Sequence, residues 1–309
     1  MSDLKSPPTF GPAETFCPRC GHSPVDACPA CGFPARQEPE WQIGFVAYID
    51  ILGYKALAQQ KGGAEAVKDV VKTLNESPSA VRKRLTENLV LPRYIWSPER
   101  KEIMRDSLQQ IEQGTRVMSD SILLFLPCRS SPDVDEKAAS KGLVFVGYCQ
   151  GLCSHLFREG LPVRGAISHG EYLLAETMFA GTPIMAAYEL SGKIDASCVV
   201  ITPEFETLCR GIKDKTLSKV LDRFVPEIPV PLKNAGTCPL RVLKYTPQED
   251  VYGGKGPAGA ALDVRIKKFV YDAFTKHQGT IPADVYRKYF NTIGMFEKTF
   301  ASPPHEHNT

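Results

Sequence analysis

Three groups of residues have the types and the spacing to do chemistry. Two are single aspartates in apolar surroundings: Asp50 inside FVAYIDILGYKAL (Phe45–Leu57) and Asp120 inside TRVMSDSILLFLP (Thr115–Pro127). A lone carboxylate buried in such a run is costly. A strand of this kind therefore carries its aspartate to an edge or cleft where a cation compensates it, unless the residue merely ends the strand in a turn. Two separate strands that each deliver one aspartate favour the first reading. The third group is CPRCGH (Cys17–His22) and CPACGF (Cys28–Phe33). Each CxxC turn aims two thiolates at one ion, and the glycine after it lets the backbone close around the metal. Cys17, Cys20, Cys28 and Cys31 supply the four sulfurs of a closed structural zinc site, favoured over a redox dithiol, with His22 read as a bystander rather than a replacement for one thiolate. A unit this short builds no core of its own, so zinc binding and folding are coupled there. Such ribbons bind nucleic acid or protein or simply decorate a domain, and local charge does not choose among these.

The elements that must position the aspartates are those of an ordinary soluble chain. The 309 residues are 43% hydrophobic, 23% charged and 9% aromatic, enough for one large domain or two smaller ones. The net charge of +2 gives no field for a nucleic acid or an anionic membrane, so nucleic acid is not expected as a partner of the main domain. No apolar run is long enough for a membrane span and no signal-peptide core is present, so a cytoplasmic protein is expected. The cysteines after the ribbon, among them Cys128, Cys149, Cys153 and Cys198, sit in apolar context and are expected as buried thiols of a reducing compartment.

The pattern along the chain predicts a flexible tail over 1–16, a zinc ribbon over 17–39, a main domain over 40–250 and a C-terminal helical extension with a disordered end over 251–309. The main domain opens on the Asp50 strand, turns at Gly53 and enters helices. Val67, Val70, Val71 and Leu74 form a buried helical stripe, and a separate short basic helix is expected over Ser79–Leu89. Residues 92–113 are charged and poorly periodic, which predicts a loop with some helix. Ser119-Asp120-Ser121 reads as a tight hairpin turn or bulge. A long helix over Ala138–Glu159 carries Phe145, Cys149, Leu152 and Leu156 inward and stops at Gly160. VRGAISHGEY (Val163–Tyr172) is a strand whose glycines suggest a close backbone approach or a bulge, with His169 and Glu171 an exposed pair at its end. A short helix follows Pro183, with Ile184, Ala187 and Tyr188 placed to pack inward. A strand at Cys198–Ile201, a helix from Pro203, a proline-rich loop or edge strand over Val225–Pro239 and a strand at Arg241–Tyr245 complete the domain. The extension holds an amphipathic helix built on Leu262, Ile266, Phe269, Val270 and Phe274, and a second helix after Pro282. Alternating strands and helices give an α/β or α+β arrangement with helices over one sheet face.

Three stretches, in order, resemble the motifs of the class III nucleotidyl cyclases over roughly residues 43–192. FVAYIDILGY resembles that family's F-x-D-I-x-G-F strand, and MSDSILLF its G-D-x-x-x-x-x-F hairpin with Ser119 in the place of the glycine. VRGAISHGEY followed by GTPIMAAYEL resembles its R-x-G-I-x-x-G strand and following helix. The wording D-I-L-G-[FY], S-D-S and R-G-A-I-x-x-G-E is nearest to the bacterial pyrimidine nucleotide cyclases of Pycsar antiphage signalling. The resemblance implies an α+β fold, a ferredoxin-like palm of antiparallel sheet covered by helices. It also implies a homodimer with composite active sites and a nucleoside triphosphate substrate. Asp50, Asp120 and the backbone carbonyl of Ile51 match the family's ligands for two Mn²⁺ or Mg²⁺ ions. Such ions lower the pKa of the ribose 3′-hydroxyl that attacks the α-phosphorus and neutralise the triphosphate.

The departures from the family pattern bear on the base. Arg116 stands where purine cyclases carry a base-selecting Lys or Glu, and Met178 stands at the second such position. Met185 and Glu189 replace the family's transition-state Asn and Arg. The purine-reading pair is absent, which fits a smaller base. Tyr54, beside the metal strand, is the candidate to narrow the pocket, with packing as its other reading. Arg116 is a candidate for a pyrimidine carbonyl or a phosphate, and Arg164 for a structural role. The expected activity is UTP to 3′,5′-cyclic UMP, with CTP and a non-catalytic nucleotide-sensing module as alternatives.

Overall fold

The computed structural model describes residues 41–59, 62–88, 97–128, 136–175, 178–234, 236–245, 262–277, 279–281, 283 and 285–301. The four ribbon cysteines and the tail therefore lie outside the described residues.

The Asp50 strand is the centre of the sheet. β1 (Trp41–Ile51) alternates along most of its length between two buried faces, as its near-continuous apolar sequence requires. Phe45, Ala47, Ile49 and Ile51 join the main core, while Val46 and Tyr48 join smaller clusters on the opposite face. β1 is flanked antiparallel by β3 (Ser121–Pro127) and β4 (Val163–Leu174). β2 (Arg116–Met118) extends the sheet beyond β3. β5 (Phe179–Gly181) pairs antiparallel with the far end of β4, and β6 (Val199–Ile201) runs parallel to its beginning. The sheet order is β2-β3-β1-β4-β5 with β6 also on β4. This is an α+β architecture built on a mainly antiparallel sheet.

The main core fills the face under α4 (Glu136–Arg158), whose Phe145, Cys149, Leu152 and Leu156 are fully buried as the helical spacing requires. α1 (Tyr54–Gln59) and α2 (Gly63–Asn88) lead to it. α2 is one helix rather than the two expected, and runs through Pro78. Its inward stripe Val70, Leu74, Ser77 and Val81 continues across the proline, and Tyr148 of α4 donates to the Pro78 carbonyl at 3.1 Å, so packing holds the element together where propensity argues for a break. α3 (Pro98–Gly114) takes up most of the stretch expected as a loop with some helix over 92–113, of which 92–96 lie outside the described residues. Ser97 caps it by accepting from the Arg100 N–H, Pro98 opens the first turn, and Leu108 and Ile111 anchor it. Cys128, Cys149, Cys153 and Cys198 are buried and form no disulfide, as expected.

α5 (Thr182–Lys193) lies on the other face of the sheet. Ile184 and Ala187 pack inward, whereas Tyr188 is 60% exposed, contrary to expectation. α6 (Pro203–Gly211) and α7 (Lys215–Phe224) follow β6. The proline-rich stretch takes the edge-strand alternative and forms a hairpin, β7 (Glu227–Leu232) with β8 (Gly236–Arg241). Pro229 and Pro231 sit at alternate positions of β7, so the same edge of that strand lacks both donors. α8 (Leu262–Thr275) and α9 (Tyr286–Ala301) contribute Ile266, Val270, Phe274, Ile293 and Phe296 to the same core as β1 and α4. No described helix is long and apolar enough to cross a membrane.

Candidate active site

At its C-terminal end β1 is flanked by the start of β3 and the start of β4. The register places Asp50 opposite Ser121 on one side and Arg164 on the other, so the three side chains stand in a row on the α5 face. Asp120 arrives through the β2–β3 turn. Ser119 takes φ 52°, the left-handed conformation that a glycine adopts without cost, and so makes the turn tight enough to present the next residue. The Ile51 N–H donates to the Asp120 carbonyl at 3.0 Å and ties that turn to the end of β1. The hairpin and the strand thus bring both aspartates and the Ile51 backbone to one place.

Asp50 is 8% exposed, with a partner on each carboxylate oxygen. Arg164 donates from Nε to Oδ2 at 2.9 Å, with Nη2 in ion-pair contact with the same oxygen at 2.9 Å, and Ser121 donates to Oδ1 at 3.3 Å. Burial raises the Asp50 pKa above its usual range and Asp120 adds to that rise, while Arg164 and Ser121 oppose it. The Asp120 carboxylate is half-buried and makes no hydrogen bond or ion pair among the described residues. An unpartnered carboxylate beside a buried one is an arrangement that a cation resolves. Among the described residues no third His, Cys, Asp or Glu side chain joins the pair. Two carboxylate ligands and a backbone carbonyl suit a hard ion that keeps water or takes phosphate oxygens for its other positions, so the donor set fits Mg²⁺ or Mn²⁺.

Basic residues stand within electrostatic reach of Asp50, and sequence reasoning missed most of them. Lys233, in the β7–β8 turn, is half-buried, with its N–H on the Lys193 carbonyl at 2.9 Å. Burial holds its amine below the usual lysine range, Arg164 and Lys288 push the same way, and Asp195 and Asp50 oppose. Asp195 is itself claimed by Arg287, in close contact, and by Asn291 at 3.1 Å. Beyond the Arg164–Asp50 and Arg287–Asp195 ion pairs, Lys233 and Lys288 therefore add two cations against the unpartnered Asp120. The surplus positive charge suits an oxyanion, and only the folded hairpin brings Lys233 to β4.

The base-reading candidates fare differently. Tyr54 opens α1 and packs against the main core. Arg116 donates from Nη1 to the carbonyls of Gln113 and Thr115, at 2.8 and 2.9 Å, and so lies along its own turn. Met178, Met185 and Glu189 are exposed, the last two on α5. His169 is half-buried with its ring 5.1 Å from that of Phe45, so it is not the exposed strand-end residue expected. The aromatic residue at the site is Tyr48, two positions before Asp50 and hence on its face. Its hydroxyl lies 2.9 Å from Ser121 Oγ, and its ring meets Tyr188 edge-on at 5.3 Å. The period of a strand was sufficient signal to find it.

No family model matches the chain, and no curated protein matches it. Among solved structures, two of bacterial light-regulated adenylyl cyclases align with 70% of this chain, at 11% and 12% identity and TM-scores of 0.38 and 0.36. The chain spans 56% of the length of each.

Proposed function

We propose that the protein is a nucleotidyl cyclase that converts UTP to 3′,5′-cyclic UMP and pyrophosphate, acting as a homodimer in antiphage second-messenger signalling. The observation that carries the reading is the meeting of Asp50, Asp120 and the Ile51 backbone at one end of the sheet, beside the surplus cations around Lys233. Asp50, Asp120 and the Ile51 carbonyl would hold Mn²⁺ or Mg²⁺, which when bound neutralise triphosphate charge and acidify the ribose hydroxyl. Lys233, within electrostatic reach of Arg164 and Lys288, supplies charge for the phosphate chain, the role left vacant by Met185 and Glu189 on α5. In the reaction the 3′-oxygen forms a bond to the α-phosphorus, the bond to the bridging oxygen of pyrophosphate breaks, and the hydroxyl proton is lost. Transfer of this kind depends on positioning and charge stabilisation, which a buried row of fixed partners provides.

The pyrimidine assignment and the antiphage role rest on the sequence resemblance, together with Arg116 and Met178 at the purine-reading positions. Tyr54 and Arg116 remain the proposed base-reading pair in that scheme. Exposed Met118, Met178, Met185 and Tyr188 support a second copy of the chain as the partner that completes the site. Cys17, Cys20, Cys28 and Cys31 are proposed to hold one structural zinc, which metal analysis at about one zinc per chain would support.

Purified protein incubated with each of the four ribonucleoside triphosphates and Mn²⁺, with products identified by mass spectrometry, tests the reading. Cyclic UMP is expected. Cyclic CMP as the main product moves the assignment to CTP, and dominant cyclic AMP or GMP removes the pyrimidine claim. No cyclic product from any triphosphate removes the enzyme, and nucleotide binding without turnover then marks a sensing module.

A further inference from the structure

The hydrogen bonds around Asp50 have a direction. An ionised carboxylate only accepts, so Ser121 donates its single proton to Asp50 Oδ1, at 3.3 Å. The 2.9 Å contact between Tyr48 and Ser121 must then run from the phenol to Ser121 Oγ. Arg164 occupies the other carboxylate oxygen with an Nε hydrogen bond and an Nη2 ion-pair contact. The two oxygens of Asp50 are thus held differently: Oδ2 by a guanidinium, and Oδ1 by one longer hydroxyl bond that leaves lone pairs available. The start of the chain is also fixed, because the Tyr48 ring packs in the sheet face and meets Tyr188 at 82°.

We infer that Tyr48 is a positioning residue for the divalent cation, acting through Ser121 to fix the orientation of the Asp50 carboxylate, whose Oδ1 keeps lone pairs for a ligand. The inference rests on the metal reading of Asp50 given above. Phenylalanine would serve the packing of this position, and a half-buried hydroxyl is unfavourable unless it is bonded. What the hydroxyl adds is a donor that fixes the Ser121 rotor. A serine hydroxyl free to turn can donate to a nearby carbonyl; one that accepts from Tyr48 has its proton left for Asp50, and accepting strengthens what it donates. Partners of this kind orient a metal ligand without touching the ion, and their loss weakens metal binding while the fold stays intact. The commitment of the Tyr48 proton to Ser121 also keeps the phenol from bonding Asp50 or Asp120 directly, which would compete with the cation.

The test is Mn²⁺ binding to the full chain, followed by the spectroscopic signal of free Mn²⁺, alongside thermal unfolding and the triphosphate assay. Tyr48→Phe is expected to weaken Mn²⁺ binding about tenfold with an unchanged melting temperature. Ser121→Ala should weaken it to a similar degree, the double variant should be no weaker than either single one, and Ser121→Thr should restore binding. Wild-type affinity in Tyr48→Phe overturns the inference, as does a double variant whose losses add, since that makes the two residues independent. A loss of affinity that only follows a loss of thermal stability overturns it as well. Wild-type protein that forms cyclic product while Tyr48→Phe binds Mn²⁺ normally removes the relay alone. Wild-type protein that neither binds Mn²⁺ nor forms product removes the metal reading beneath it.

Discussion

Asp50 and Arg164 are register partners on adjacent antiparallel strands, and the Arg164 guanidinium meets a single oxygen of the Asp50 carboxylate with an Nε hydrogen bond and an Nη2 ion-pair contact. The side chains are 12% and 20% exposed. At that depth water screens the pair weakly, and the loss of one member leaves the other as an uncompensated charge. Arg164→Met is therefore expected to lower unfolding stability by about 3 kcal/mol, measured by urea titration of metal-free protein. The double variant Asp50→Asn/Arg164→Met should recover much of that loss. If Arg164→Met unfolds at the wild-type urea midpoint, the pair does not hold the β1–β4 junction.

Asp120 should behave in the opposite way. Its carboxylate has no partner among the described residues and repels Asp50. Asp120→Asn is expected to leave stability unchanged or slightly raised, within about 0.5 kcal/mol, while turnover falls by about a thousandfold or more and Mn²⁺ binding is lost. Asp50→Asn should lose turnover equally but also lose stability, because Arg164 is left alone. Calorimetry of the two variants beside the triphosphate assay separates a ligand carboxylate from a structural one.

The contrast between these aspartates marks how far the sequence could be read. Two acids in apolar strands were legible, as was the hairpin that carries the second. So was the close approach at Gly165, where a Cβ would lie 2.3 Å from the Tyr48 carbonyl. Tyr48 was legible in principle, since a strand repeats every two residues, yet Tyr54 attracted notice because it follows the glycine turn and begins a different element. Arg164 looked structural because nothing local says which residue it will face; only the β1–β4 register does. Lys233 was invisible for the same reason, being 69 positions beyond Arg164 in the chain and brought back by a hairpin whose prolines argue against a strand. The helix at Pro98 carried its signal openly in Ser97-Pro98, which the charged, poorly periodic context obscured. Pro78 misled because packing against α4 outweighed a local preference.

Lys233 gives a prediction that separates binding from chemistry. Its amine is half-buried among cations, and an anion there relieves both the burial and the repulsion. Lys233→Ala is expected to raise KM for the triphosphate about tenfold, with a weaker dependence of KM on salt than in the wild type. Stability should hold or rise slightly, because one of several mutually repelling charges is gone. An unchanged KM and salt dependence would place the phosphate chain elsewhere.

His169 sets a pH dependence apart from the two proposed ligand carboxylates. Burial lowers its pKa below the usual histidine range, its Nε2 has no partner among the described residues, and its ring lies against Phe45. Burial likewise lowers the pKa of half-buried His155, with Glu159 opposing. A depressed histidine means that the unfolded chain binds the proton more tightly than the fold does. The stability it contributes is present in full above the unfolded pKa of about 6.5 and is lost as pH falls from there through the folded value. The melting temperature should therefore fall between about pH 7.5 and pH 5.5, before ordinary carboxylates begin to titrate. His169→Phe keeps a flat ring against Phe45, removes the unpartnered nitrogen and cannot titrate, so it should match or exceed wild-type stability at pH 7.5. Its melting temperature should fall less steeply on acidification, with His155 left to supply the remaining slope. Equal slopes in the two proteins would mean that the His169 ring takes up its proton as readily in the fold as in the unfolded chain.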